Sequence, residues 1–107
     1  MSAAAGEGSK FVVEREDGPA KGRYVIRHEG HEAEMTYSKA GAKLVIIDHT
    51  GVPEALNGLG LGALLVKRGV EDARKEGKKI IPLCPFAKAY IGKHPELQDV
   101  LQDPPAR

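Results

Sequence analysis

The spacing of apolar residues changes near the middle of the chain, and this change constrains the fold more than any other feature. In Tyr24–His28 and Ala33–Tyr37, apolar and polar residues alternate with a period of two, which is typical of strands with one buried face. Leu61–Glu76 instead places its small and apolar residues on one side of a helix. The sequence therefore predicts strands followed by helices, as in an α+β domain.

The first half of the chain is predicted to form antiparallel strands. Phe11–Glu16 is a short strand candidate and is followed by the turn-forming residues Asp17–Pro19. Further turns are expected at Glu29–Gly30 and at Gly41. Leu44–Ile47 is a continuous run of β-favouring residues, which predicts a central strand that is buried on both faces.

The second half predicts one β-α-β unit. A short strand candidate, Lys79–Leu83, follows the helix Leu61–Glu76, and a strand reached through a helix normally runs parallel to the strand before that helix. Lys79–Leu83 should therefore lie parallel to Leu44–Ile47. A last helix is expected over Phe86–Lys93. Together these elements predict a mixed, mainly antiparallel sheet with one β-α-β unit and a C-terminal helix.

Length and composition exclude several classes of protein. A chain of 107 residues supports one hydrophobic core, so we expect one domain over 10–102, a disordered tail at 1–9 and a flexible tail at 103–107. The net charge is +1, and the basic residues are interleaved with acidic ones, which does not predict a nucleic-acid partner. No apolar run approaches the roughly 20 residues of a membrane helix, and no signal peptide is visible. We therefore expect a cytoplasmic protein without a membrane partner, as a monomer or a weak dimer.

The cysteine and histidine content predicts neither a disulfide nor a metal site. Cys84 is the only cysteine, so it has no partner within the chain. His28 and His31 are separated by a turn, and no further residues with ligand spacing join them. The sequence predicts no metal.

A glycine-rich segment, Asn57–Gly62, lies between the predicted central strand and the long helix. Glycines at such a place let the backbone approach a ligand without clashes from Cβ atoms. The first amides of the following helix have no acceptor within the helix, and the helix dipole adds positive potential there. The segment therefore predicts a site for a phosphate or pyrophosphate group.

Several kinds of phosphate-binding turn have this general form. The Walker P-loop requires a Lys-Ser/Thr pair that is missing here. Gly58-x-Gly60-x-x-Ala63 formally matches the dinucleotide fingerprint, but that fold needs repeated parallel β-α units and an acidic residue about 20 positions later. A third kind is the turn that holds the pyrophosphate of an acyl-CoA. A tight turn without any ligand also remains an alternative.

Three segments together resemble a known family. Asp48–Pro53, Asn57–Gly62 and Ile81–Phe86, with Tyr90 and His94-Pro95, look like the small single-domain acetyltransferase-like group of the GNAT superfamily of acyl-CoA-dependent N-acyltransferases. The resemblance covers roughly 22–101. It implies acetyl-CoA or CoA as the cofactor and an amine as the acceptor. Asn57 stands where the superfamily motif has Gln or Arg, so the contact of that side chain should differ.

Cys84, Tyr90 and His49 are the candidate catalytic residues. Cys84 precedes Pro85 at a predicted helix N-terminus, which favours a thiolate that could accept the acyl group; an inert buried cysteine is the alternative. The resemblance to larger GNAT enzymes implies that Tyr90 could protonate the departing CoA thiolate, and a core aromatic residue is the alternative. His49 could take a proton from the incoming amine, or it could bond to the backbone at a strand end.

The residues predicted to hold the acyl-CoA lie in the glycine-rich turn or at the ends of neighbouring elements. They are Thr50, Val52, Asn57, Gly58, Leu59, Gly60, Leu61, Gly62, Pro85, Lys93 and His94. The sequence therefore predicts an acetyl-CoA-dependent N-acetyltransferase that acts on an amine, either directly or through Cys84. The alternative is a CoA-binding module without turnover.

Overall fold

A computed structural model of the protein describes residues 11–102, so the tails predicted at 1–9 and 103–107 lie outside the described residues. The described chain contains five strands, two α-helices and two short 3₁₀ turns. In chain order they are β1 (Glu14–Asp17), β2 (Lys21–His28), β3 (His31–Lys39), β4 (Leu44–Gly51), a 3₁₀ turn (Glu54–Leu56), α1 (Leu61–Glu76), β5 (Lys79–Pro82), α2 (Pro85–Gly92) and a second 3₁₀ turn (Pro95–Val100).

The five strands form a single sheet whose spatial order, β1-β2-β3-β4-β5, is the order of the chain. The pairs β1–β2, β2–β3 and β3–β4 are antiparallel, and β4–β5 is parallel. The predicted mixed, mainly antiparallel sheet with one β-α-β unit is therefore confirmed. The first strand begins at Glu14 and not at Phe11 as predicted.

Only one face of the sheet is covered by the helices. Ala33, Met35 and Tyr37 alternate along β3 with partly exposed residues, and all three belong to the core that the helices close. On the outer face, Arg23 and Arg27 form ion pairs with glutamates of neighbouring strands. The prediction that Leu44–Ile47 is buried on both faces is therefore wrong, since Ile47 alone of the four is fully buried.

Glycines bound the long helix α1 at both ends. Gly60 precedes the helix with φ of 75°, and Gly77 follows it with φ of 69°. Both values lie in the left-handed region that glycine adopts without the steric cost of a Cβ atom. The predicted bounds Leu61–Glu76 are confirmed, and so is the buried side of the helix, which includes Val66 and Val70.

The most buried charged group of the described chain, Asp72 on α1, ties the helix to the sheet. Its carboxylate accepts hydrogen bonds from the Tyr24 hydroxyl at 2.9 Å and from Arg15 and Arg68, each at 3.2 Å. A buried carboxylate is tolerated when charged donors compensate it in this way. The cluster therefore holds β1, β2 and α1 together, and it lies away from the site described below.

We expect Asp72→Asn to lower the free energy of unfolding by about 3 kcal/mol, because two guanidinium groups lose their shared anion and the Tyr24 hydroxyl loses a charged acceptor. Urea denaturation followed by circular dichroism measures this change. The matched control is Glu71→Gln on the exposed side of the same helix, which should change stability by less than about 0.5 kcal/mol. Equal midpoints for the two variants would contradict the stabilising role of Asp72.

Candidate active site

The sheet opens at the end of β4. Pairing between β4 and β5 ends at Ile47 and Pro82. The amides of Leu83 and Cys84 both donate to the Ile47 carbonyl, at 3.0 and 3.1 Å, and the chain then turns into α2. Beyond Ile47, β4 continues to Gly51 and is paired, within the described residues, with β3 alone. One edge of β4 therefore faces a gap between the two parallel strands.

A β-bulge in β4 determines which side chains near this gap lie on the sheet face that carries the helices. The register between β3 and β4 shifts at Asp48, which is the extra residue of the bulge. Ile47 and Thr50 consequently both lie on the sheet face that carries the helices, opposite inward-facing residues of β3. His49 lies on the outer face, opposite Thr36. Bulges commonly redirect side chains next to functional sites.

An open groove of about 520 Å³ lies between the end of β4, the start of α1 and one side of α2. It contains seven of the residues predicted to hold an acyl-CoA, namely Thr50, Val52, Asn57, Gly58, Gly60, Leu61 and Gly62. Tyr90 also lines it, together with three residues that the sequence did not predict, Leu56, Ala63 and Phe86. The groove thus brings together most of the residues that the sequence predicted to bind the cofactor.

The glycine-rich turn leaves open space next to its backbone. Gly58 and Gly60 have φ of 83° and 75°, and a Cβ atom added to either would meet no atom within 4 Å. The first hydrogen bond of α1 runs from the Leu64 amide to the Gly60 carbonyl at 3.3 Å, so the amides before Leu64 have no acceptor within the helix. Within the described part of the chain, no side chain caps α1, and the first turn of this helix carries no acidic residue. These features fit an anionic pyrophosphate.

Phe86 packs directly on the start of α1. A Cβ atom on Gly62 would lie 2.8 Å from Cζ of the Phe86 ring, so this close approach requires glycine. The Phe86 ring stacks on Tyr90 with 6.1 Å between centroids. Phe86 could have been predicted from the sequence, because it lies four residues before Tyr90 and both rings therefore lie on one side of a helix.

Cys84 lies behind the groove. Its side chain is buried, with the residue 3% exposed, and its sulfur lies 3.3 Å from the Thr50 hydroxyl oxygen. Burial by itself raises the pKa of the thiol. The hydrogen bond with Thr50 and the amides of Ala87, Phe86 and Thr50 outweigh burial, so the pKa of Cys84 is lowered overall. Cys84 and Thr50 thus meet at one edge of the sheet.

The remaining predicted residues lie around the groove without lining it. His94 stacks on Tyr90 with 4.1 Å between ring centroids, and its Nδ1 donates to the Tyr90 carbonyl at 2.7 Å. Leu59, Pro85 and Lys93 are exposed. Contacts of these four residues with an acyl-CoA stay a prediction.

His49 does not join the groove, because the bulge turns it to the outer face of the sheet. There it is exposed beside Gly51, which lines a second open hollow with Val52, Pro53, Arg23, Glu32 and Glu34. Residues 11–102 contain no cluster of His, Cys, Asp and Glu that could bind a metal ion. Neither described α-helix has the length and hydropathy needed to cross a membrane.

Comparison with known proteins connects this arrangement to a family. Residues 23–100 match the family model of the GCN5-related N-acetyl-transferases. The chain is also similar to a solved NMR structure of a GCN5-like candidate N-acetyltransferase from Staphylococcus aureus, with 38% identity and a TM-score of 0.67, over 88% of this chain and 92% of that one. No curated protein sequence gives a significant match. The chain therefore belongs to the GCN5-related N-acetyltransferase family and is an acyltransferase.

Proposed function

We propose that the groove binds acetyl-CoA and that the protein transfers the acetyl group to an amine through Cys84. The pyrophosphate would lie against the amides of the turn Gly58–Gly62, where the dipole of α1 and the open space above the glycines favour it. The thioester would reach the gap between β4 and β5. Backbone amides of β4 beyond Ile47 could there polarise its carbonyl.

The observation that carries the covalent route is the contact between Cys84 and Thr50 at the inner end of the groove. A cysteine whose thiolate is stabilised by a hydroxyl and by helix amides is a stronger candidate nucleophile than an ordinary buried thiol. In the proposed reaction, Cys84 attacks the acetyl carbonyl and releases CoA, and the amine then attacks the acetylated cysteine. We place this reaction in the cytosol, where a nucleophilic thiol stays reduced.

The residues that line the groove support the same route. Among them, Tyr90 alone carries a titratable side chain, so the groove offers no carboxylate or imidazole as a general base. A thiolate needs no such base, and the proton that Cys84 gives up could reach the departing CoA sulfur through Tyr90, which lines the groove. His49 could serve direct attack only if the amine entered from the outer face of the sheet, because its side chain lies there.

Isothermal titration with acetyl-CoA, followed by intact mass spectrometry of the same sample, tests the proposal. We expect binding of one molecule per chain and a mass gain of one acetyl group in the absence of an amine. Binding without the mass gain would overturn the cysteine route and favour direct transfer or a CoA-binding role. Absence of binding would overturn the assignment of the groove itself.

A further inference from the structure

Thr50 occupies a position between the groove and the buried thiol. Its side chain lines the groove, whereas Cys84 is not among the lining residues. Its hydroxyl oxygen lies 3.3 Å from the Cys84 sulfur, within the distance of a hydrogen bond that involves sulfur. The β-bulge at Asp48 turns Thr50 to this side of the sheet. Thr50 therefore borders both the groove and the Cys84 sulfur.

We propose that Thr50 is a positioning residue that holds the Cys84 sulfur and exchanges its proton with the groove. The inference rests on the proposed function, in which Cys84 carries the acetyl group. A hydroxyl suits this role because it can both donate and accept hydrogen bonds. By rotating, it can accept a hydrogen bond from the Cys84 thiol or donate one to the Cys84 thiolate. Amides of the α2 N-terminus can only donate to the sulfur, and they cannot pass a proton on.

The proton balance of the reaction requires such an exchange. When Cys84 attacks the thioester, an S–C bond forms on Cys84, the S–C bond to CoA breaks, and the thiol proton ends on the CoA sulfur. When the amine attacks the acetylated cysteine, a C–N bond forms, the S–C bond to Cys84 breaks, and one amine proton returns to the Cys84 sulfur. No net proton enters or leaves, so a hydroxyl shared by the sulfur and the groove suffices.

Other side chains near Cys84 do not offer this exchange. None of the titratable side chains on the three adjoining elements forms a hydrogen bond with the thiol. These side chains are Asp48 and His49 on β4, Lys79 on β5, and Lys88 and Tyr90 on α2. Among the described residues, Thr50 is the side chain that does so. Its methyl group and hydroxyl can be separated by substitution, because valine keeps the shape and serine keeps the hydroxyl.

The test compares Thr50→Val with Thr50→Ser and uses two readouts. The first is the thiolate absorbance of the protein against pH, with Cys84→Ala as the blank, which reports one sulfur because the chain has one cysteine. The second is the rate of Cys84 acetylation by acetyl-CoA, followed by intact mass. We expect Thr50→Val to move the thiolate midpoint upward and to slow acetylation at saturating acetyl-CoA on the order of tenfold.

Thr50→Ser should restore both readouts, and Thr36→Val on the outer face of β3 should alter neither. A midpoint in Thr50→Val equal to that of the parent protein would overturn the contact with the sulfur. Below the raised midpoint of Thr50→Val, an acetylation rate that falls only in proportion to the thiolate fraction would overturn the proton exchange. The absorbance readout needs no acetyl-CoA, so a parent protein that is not acetylated would overturn the proposed function while the Thr50–Cys84 contact is judged separately.

Discussion

Cys84→Ala is expected to lose acetyl transfer by more than about a hundredfold while it still binds acetyl-CoA. The loss follows because alanine removes the atom that would carry the acetyl group. Binding should persist because Cys84 lies behind the groove and is not among the residues that line it. Steady-state transfer to an amine and isothermal titration with acetyl-CoA measure the two effects separately.

Thermal unfolding of Cys84→Ala controls for damage to the core, since the residue is buried. A folded variant that binds acetyl-CoA and transfers the acetyl group at the parent rate would contradict the covalent route. Such a result would leave the protein an acyltransferase in which the amine attacks the thioester directly. It would also direct attention to His49 and to the outer face of the sheet.

Gly60→Leu is expected to weaken acetyl-CoA binding by more than about a hundredfold, because its side chain would fill the open space above the turn where we place the pyrophosphate. The matched control is Gly77→Leu at the other end of α1. Both glycines have a similar positive φ, and a Cβ atom on either meets nothing within 4 Å. The two variants therefore pay a similar conformational cost of about 1–2 kcal/mol, and only Gly60 lines the groove.

Titration of both variants with acetyl-CoA, at a temperature where circular dichroism shows both folded, gives the comparison. Equal loss of affinity in the two would mean that α1 is merely destabilised. Parent-like affinity in folded Gly60→Leu would mean that the turn does not receive the pyrophosphate, and the position of the ligand in the groove would have to be revised.

The sequence predicted the second half of the fold better than the first strand or the burial of β4. Glycines flank α1 in the sequence, so its bounds could be read directly. β1 is a short edge strand, and the apolar residues before Glu14 suggested a strand that begins too early. Leu44–Ile47 has the composition of a strand buried on both faces, but neither described α-helix covers the outer face of this sheet.

The orientation of His49 could not be predicted, because it depends on the bulge. With strict alternation from the inward-facing Ile47, His49 would point inward and Thr50 outward. The extra residue Asp48 reverses this order and brings Thr50 to Cys84. A bulge of this kind depends on the register with β3, which the residues of β4 alone do not reveal.

The agreement between strand order and chain order has a consequence for how the protein folds. β1 to β4 can pair as successive hairpins with short loop closures, whereas the pairing of β4 with β5 must wait for α1. Thr50 and Cys84, which are 34 positions apart, meet across this last pairing. We therefore expect the antiparallel strands β1 to β4 to form first and the proposed catalytic centre to assemble late. In partial unfolding, the amides around the groove should then exchange with solvent before those of β2 and β3.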